Sequence, residues 1–134
     1  MKVLTWNVWF KDFHFKIRME NILNTTVKLD PDFVCFQEVI PEFVEMIDQH
    51  HTISGMYSRS DYNMDSSYGT LTLVKAHLSP SYMVSRFPTQ QGRTLLISSI
   101  KINSLSLAVA NVHLESLDFH DMRESQLEIT NTAL

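Results

Sequence analysis

Apolar and polar positions along this chain switch between a two-residue and a three-to-four-residue period, and the switches mark its elements. Lys2 to Val8 is rich in β-branched and aromatic residues and predicts a strand buried on both faces or nearly so. Phe15, Met19, Ile22, Leu23 and Val27 recur at spacings of three and four, which predicts a helix with one apolar face. Asp30-Pro31 ends it, because proline disfavours the helical region for the residue before it. Phe33 to Gln37 is a short apolar run and predicts a second strand. Pro41 suits the first turn of a helix whose Phe43, Val44 and Ile47 share one side.

The middle is poorer in pattern. Tyr57 to Ser67 holds Asp61, Asn63 and Asp65 among serines and reads mainly as a loop. Thr70 to Val74 predicts a strand, Ser79 to Arg86 an extended stretch, and Pro88 to Gly92 a loop. Leu95 to Ile102 and Leu105 to Val112 read as two strands joined by a tight hairpin at Asn103-Ser104. Beyond the polar connector Leu114 to Asp118, Met122, Gln126, Ile129 and Ala133 fall on one face of a closing helix. The order is strand-helix-strand-helix, then several strands, then a helix, which predicts an α/β class with a mixed sheet packed by helices. Residues 1–134 show no repeat or linker and read as a single domain. The closing helix has no glycine stop and no element after it, so the domain is expected to be truncated.

Composition narrows the class. The chain has 134 residues, 44% of them apolar and 19% charged, enough for a core and far from disordered or collagen-like usage. The net charge of -4 argues against a broad basic surface for nucleic acid. A phosphate-bearing ligand would need a local site, and an acidic site that holds a cation provides one. The only cysteine, Cys35, lies in the apolar run Phe33-Val34-Cys35-Phe36. It cannot form an internal disulfide, which favours a reducing compartment; it reads as core filler, with a reactive thiol as the alternative. No segment reaches the ~18 apolar residues of a membrane span. A soluble protein of the nucleus or cytoplasm is expected.

Three polar groups interrupt the apolar strands near their carboxyl ends: Thr5-Trp6-Asn7, Gln37-Glu38 and Asn111-Val112-His113. Ligand sites of α/β sheets gather at that end. A carboxylate directly after Phe33-Val34-Cys35-Phe36 is expensive to place without a partner. A cation is one such partner, and magnesium takes one or two carboxylates and fills its shell with water and phosphate. Asn7 offers an amide oxygen to the cation or to its water, and His113 a hydrogen bond or proton to a phosphoryl oxygen. Each residue also has a plainer reading. Glu38 can cap a helix or sit in solvent ahead of Pro41, Asn7 can be a turn residue, and His113 a hydrogen-bonded structural histidine. His14, His50, His51, His77 and His120 read as surface residues, and three glycines leave no glycine-rich phosphate loop. Residue chemistry by itself leaves function open.

Longer motifs carry the reading further. Val3-Leu4-Thr5-Trp6-Asn7-Val8, the stretch from Asp30-Pro31-Asp32 to Gln37-Glu38-Val39, and Asn111-Val112-His113-Leu114 followed by Arg123-x-x-Gln126-Leu127 stand in a distinctive order and spacing. They resemble motifs of the endonuclease/exonuclease/phosphatase superfamily. Thr5-Trp6-Asn7, Gln37-Glu38-Val39-Ile40-Pro41 and His113-Leu114-Glu115-Ser116 are similar to the versions in its 5′-tyrosyl-DNA phosphodiesterase branch. Tyr68-Gly69-Thr70 falls where that branch carries an aromatic residue near the DNA end. The resemblance implies the N-terminal half of a DNase I-like two-sheet β-sandwich flanked by helices. It implies hydrolysis, with magnesium or manganese, of the bond between tyrosine and a DNA 5′-phosphate in DNA repair. The implied partner is a DNA 5′ end with a tyrosyl-peptide adduct.

Carried onto this sequence, the resemblance makes Glu38 the main metal ligand, with Asn7 in the same site contacting metal or phosphate. His113 would stabilise the phosphoryl group, Ser116 and Tyr68 would bind substrate, and Arg123 and Gln126 would serve packing. Ser116 keeps a second reading as a helix cap near Asp118. The superfamily's Gly-Asp-x-Asn and Ser-Asp-His motifs are absent, so this chain alone is expected to be inactive. Two alternatives stand beside this reading. One is another phosphodiesterase or nuclease of the superfamily, such as an apurinic-site endonuclease, a deadenylase or a sphingomyelinase-like lipase. The other is a non-catalytic phosphate- or protein-binding fragment. The strands are expected to build one sheet whose other face awaits the missing half. Leu95, Ile97, Leu105, Leu107 and Val109 would then form an exposed apolar face that binds that half or self-associates.

Overall fold

The computed structural model describes residues 1–62 and 67–134. β1 (Val3–Asn7) and β2 (Phe33–Val39) pair in parallel, and α1 (Phe15–Leu29) is the crossover that parallel pairing requires. The helix stops as its sequence predicts: Asp30 turns left-handed at φ 48° and returns its N–H to Thr26 O, with Pro31 directly behind. α2 (Pro41–Gln49) opens on its proline and buries Phe43, Val44 and Ile47. Two elements escape the sequence pattern, α3 (His51–Met56) and β3 (Tyr57–Arg59). A six-residue helix and a three-residue strand are too short to declare a period. The loop expected over Tyr57 to Ser67 is therefore corrected at its start, and residues 63–66 lie outside the described residues. β3 pairs antiparallel with β4 (Gly69–Lys75), giving a sheet of order β1-β2-β4-β3. β1 is its edge, and its alternate residues are exposed, so the expectation of a strand buried on both faces fails.

A 3-10 turn over Ala76–Leu78, closed by a left-handed Ser79 and followed by Pro80, takes the chain off this sheet. β5 (Ser81–Arg86), β6 (Thr94–Ile102) and β7 (Leu105–Val112) then form a separate antiparallel sheet. Its hairpin turns on Asn103 at φ 56°, a conformation asparagine tolerates. Both sheets thus belong to this chain, which corrects the expectation of a single sheet. The layers run from α1–α3, through the first sheet and the second, to α4 (His120–Ala133). Val34, Phe36, Leu71 and Leu73 bury against Met19, Leu23, Phe43 and Ile47 on the helical side. Phe33, Val74 and Ile100 fill the space between the sheets. Leu95 and Ile97 are buried, with Ile129 of α4 packed against them, rather than exposed as expected. Leu105 and Leu107 are exposed as expected, and Val109 is half-buried. Among the described residues, no helix is long and apolar enough to cross a membrane.

Two polar features shape the end of the sandwich where β1, β2 and β7 terminate. Asn111, 1% exposed, donates from Nδ2 to Phe36 O and Leu71 O (both 3.1 Å) and to Thr72 Oγ1 (3.2 Å). Its Oδ1 accepts a 2.8 Å bond from Gln37 Nε2, so one carboxamide on β7 ties into two strands of the opposite sheet. The second feature is a bulge. β2 pairs with β4 through Gln37↔Thr70 and then Val39↔Gly69, leaving Glu38 as an extra residue at φ 58°. Val34 and Phe36 face the helices, and strict alternation would send Glu38 after them into that apolar layer. The bulge hands the place to Val39, fully buried there, and frees the carboxylate for the strand end.

Asn111→Ala removes the Nδ2 hydrogens shared by Phe36 O, Leu71 O and Thr72 Oγ1, while Gln37 Nε2 keeps Cys35 O and Thr5 Oγ1; it is expected to cost about 1–3 kcal/mol, read as a lower urea midpoint at unchanged m. Glu38→Asn is expected to act in the opposite direction. Asparagine accepts the left-handed backbone that glutamate resists, so thermal unfolding should shift upward by about 1 kcal/mol of stability.

Candidate active site

The three strand ends meet. Asn7 closes β1, Glu38 sits on the bulge of β2, and His113 follows β7 directly. Asn7 Nδ2 donates a 2.9 Å bond to Glu38 Oε1, and His113 Nε2 lies 3.9 Å from the same oxygen. Asn7 Oδ1 accepts from Trp9 N at 3.0 Å. The asparagine is thus a turn residue and a member of the cluster at once, and it faces the carboxylate with its amino group rather than its oxygen. Tyr68 leads into β4 at the same end, its ring 6.0 Å from the imidazole of His113 and stacked on Phe10 at 4.7 Å. The structure therefore brings Asn7, Glu38, His113 and Tyr68 together at one end of the sandwich.

Ser116 reaches the cluster through intermediaries. Its Oγ and N both donate to Gln91 Oε1, at 2.9 and 3.1 Å. Gln91 Oε1 also accepts from Arg93 Nη2 at 2.9 Å, and Arg93 Nη1 lies 2.8 Å from His113 Nδ1. α4 makes no side-chain cap bond at its start, so the helix-cap reading of Ser116 fails. Arg93 was not legible in the sequence: it sits between Gly92 and the apolar run of β6, with neither period nor motif to single it out. It is nevertheless 5% exposed, and its guanidinium lies 5.4 Å from the Tyr68 ring centre.

The segment after Asn7 is held from behind. Arg18 on α1 donates to the carbonyls of Val8 (2.8 Å), Trp9 (3.0 Å), Lys11 and Phe13 (2.8 Å). One guanidinium thereby fixes the loop that carries Phe10 to Tyr68. Behind His113, Glu115 is buried and accepts from Thr89 Oγ1 (2.7 Å), Gln90 N (2.9 Å) and Gln126 Nε2 (3.3 Å). Gln126 is fully buried and accepts from Glu115 N at 2.9 Å, while Arg123 Nη1 donates to Glu115 O and Leu117 O. Arg123 and Gln126 are the packing and hydrogen-bonding residues the sequence predicts. Of the remaining histidines, His50 is half-buried rather than on the surface and caps α3 by accepting from Ile53 N.

Electrostatics distinguish the buried groups. Burial lowers the pKa of His113, the neighbouring Arg93 lowers it further, and Glu38 opposes both. Burial pushes the Cys35 thiol up to about 11, which makes it core filler and removes the reactive-thiol reading. Glu38 keeps 17% of its side chain exposed, yet its Oε2 is buried with no hydrogen-bond partner. An orphaned carboxylate oxygen at a strand end fits a cation that needs few protein oxygens. Among the described residues no group of three or more His, Cys, Asp or Glu assembles.

Burial would raise the Glu115 carboxyl, but its hydrogen bonds outweigh that and hold it below its ordinary value. Its stabilisation is therefore present in full above the unfolded-state pKa, about 4.3, and is lost as pH falls through the folded one. Glu115→Gln places an amide where three donors converge. It is expected to lose about 1–3 kcal/mol at pH 7 and to flatten the acid limb of a chemical-denaturation series.

The sequence profile described as the Endonuclease/Exonuclease/phosphatase family matches residues 4–127. No curated protein sequence matches the chain. TDP2 from Caenorhabditis elegans has the same fold with TM-score 0.87 at 25% identity, over 99% of this chain and 41% of its own. TDP2 from D. rerio, complexed with single strand DNA product, gives TM-score 0.81 at 20% identity, over 98% of this chain and 53% of its own. ANGEL2, a 2′,3′-cyclic phosphatase, gives 0.74 at 20% identity, over 98% of this chain and 47% of its own. The chain spans about half of these proteins or less. With its two sheets, its flanking helices and a profile match over nearly all its length, the chain belongs to the endonuclease/exonuclease/phosphatase family.

Proposed function

We propose that this chain carries the metal- and phosphate-binding part of a divalent-metal-dependent phosphodiesterase that hydrolyses the tyrosine–DNA 5′-phosphate bond. The observation that carries the reading is the buried, unpartnered Oε2 of Glu38, framed by Asn7 and His113 at one strand end. Glu38 would hold magnesium, with manganese as a substitute. The ion, when bound, supplies Lewis-acid stabilisation of charge on a phosphoryl oxygen. Asn7 steadies the carboxylate through its Nδ2 bond and positions the following loop through Trp9. His113, with Nε2 3.9 Å from Glu38 Oε1, would donate to a phosphoryl group held there. Tyr68, stacked on Phe10, adds an aromatic pair beside the carboxylate that a terminal nucleotide or the tyrosyl ring can contact. Ser116 can reach a phosphate only by letting go of Gln91.

The likeness to TDP2 supports the tyrosyl-DNA substrate, and the DNA product held by the D. rerio protein supports a DNA strand as ligand. Such a substrate sets the working compartment as nucleus or cytoplasm. Because the motifs that orient the attacking water are absent from this sequence, turnover would need a partner segment, supplied by a C-terminal half. Two measurements test this. Binding of Mn2+ to the chain, followed by electron paramagnetic resonance, is expected to weaken at least ~10-fold in Glu38→Ala. In the complete enzyme the same substitution is expected to lower magnesium-dependent hydrolysis of a 5′-tyrosyl oligonucleotide by ~10³-fold or more. Unchanged binding and unchanged hydrolysis would sink the assignment.

A further inference from the structure

We infer that Arg93 is a positioning residue that fixes His113 in the tautomer carrying its proton on Nε2, so that the imidazole serves the cluster as a hydrogen-bond donor. The argument rests on donor arithmetic. A guanidinium has five N–H groups and no acceptor. Arg93 Nη1 stands 2.8 Å from His113 Nδ1. A nitrogen facing an obligate donor at that distance must accept, so in the neutral ring the proton resides on Nε2. That nitrogen lies 3.9 Å from Glu38 Oε1.

The guanidinium is itself held at fixed bearings. Nη2 donates to Gln91 Oε1, which Ser116 grips with two bonds, and Tyr68 covers one face. Arg93 is 5% exposed and its Nε has no partner, a costly way to bury a cation if packing were its only purpose. The chemical consequence is specific. With Nδ1 engaged and Nε2 protonated, His113 can donate to an anionic phosphoryl oxygen but cannot take a proton from water through either nitrogen. This rests on the phosphodiesterase reading only for its catalytic consequence; the tautomer stands on geometry alone.

The test uses the chain labelled with ¹⁵N in its histidines at pH 8, where imidazole is neutral. Long-range ¹H–¹⁵N spectra report which nitrogen carries the proton, with His113→Gln to assign the signal. The expected wild-type pattern is Nε2 protonated and Nδ1 accepting. Arg93→Lys, which still donates, should preserve it, and Arg93→Met should mix the tautomers. In the complete enzyme Arg93→Met should lower kcat ~10–100-fold with KM within about two-fold. A wild-type His113 with its proton on Nδ1 overturns the inference, as does an unshifted tautomer in Arg93→Met. The wild-type spectrum decides even if the methionine variant does not fold. Failure of the functional reading would appear separately, as hydrolysis insensitive to Glu38→Ala.

Discussion

The 2.8 Å bond from Gln37 to Asn111 crosses the space between the sheets, and each partner lies within two residues of a side chain of the cluster. Gln37 precedes Glu38, and Asn111 stands two before His113. The two sheets have no strand in common. Apolar packing through Phe33, Val74 and Ile100 holds them face to face but is tolerant of sliding, since dispersion is non-directional. Directional bonds from Asn111 to Phe36 O and Leu71 O remove that freedom at the end where it would matter. The 3.9 Å between His113 and Glu38 is thus inherited from a polar clamp one layer beneath it.

Charge is arranged around that clamp with little solvent to soften it. A carboxylate with one orphaned oxygen and a guanidinium with one orphaned N–H stand on either side of His113. Burial and Arg93 together outweigh the pull of Glu38 and lower the pKa of the imidazole between them. Neither orphan is resolved within the described residues, and their signs are opposite. A cation beside Glu38 together with an anionic group beside Arg93 would satisfy both, which is the charge pattern of a metal-bound phosphate.

Periodicity disclosed the helices α1, α2 and α4 and the longer strands, because each buries one face over enough residues to repeat. It did not disclose how the strands divide. Whether β6 joins β4 or starts a new sheet depends on Ser79 and Pro80 diverting the chain, a turn that carries no apolar signal. Asn7, Glu38 and His113 were visible as polar residues in costly places at strand ends. Arg93 was not, because its role comes from contacts with Gln91, Tyr68 and His113, which only the fold assembles. The direction in which Asn7 presents its amide was equally beyond the sequence, since it is decided by the N–H of Trp9.

The bulge at Glu38 makes that residue a one-codon insertion into a strand that is complete without it. Remove it, and Phe33 to Gln37 continue straight into Val39 with unbroken alternation: Phe33, Cys35 and Gln37 to one side, Val34, Phe36 and Val39 to the other. The left-handed backbone at φ 58° disappears with it. A lineage that lost this single codon would keep, and even ease, the whole architecture while surrendering the orphaned carboxylate of Glu38. Silent descendants of such a protein stand one deletion away from it, and they would be recognised by a β2 strand of regular length.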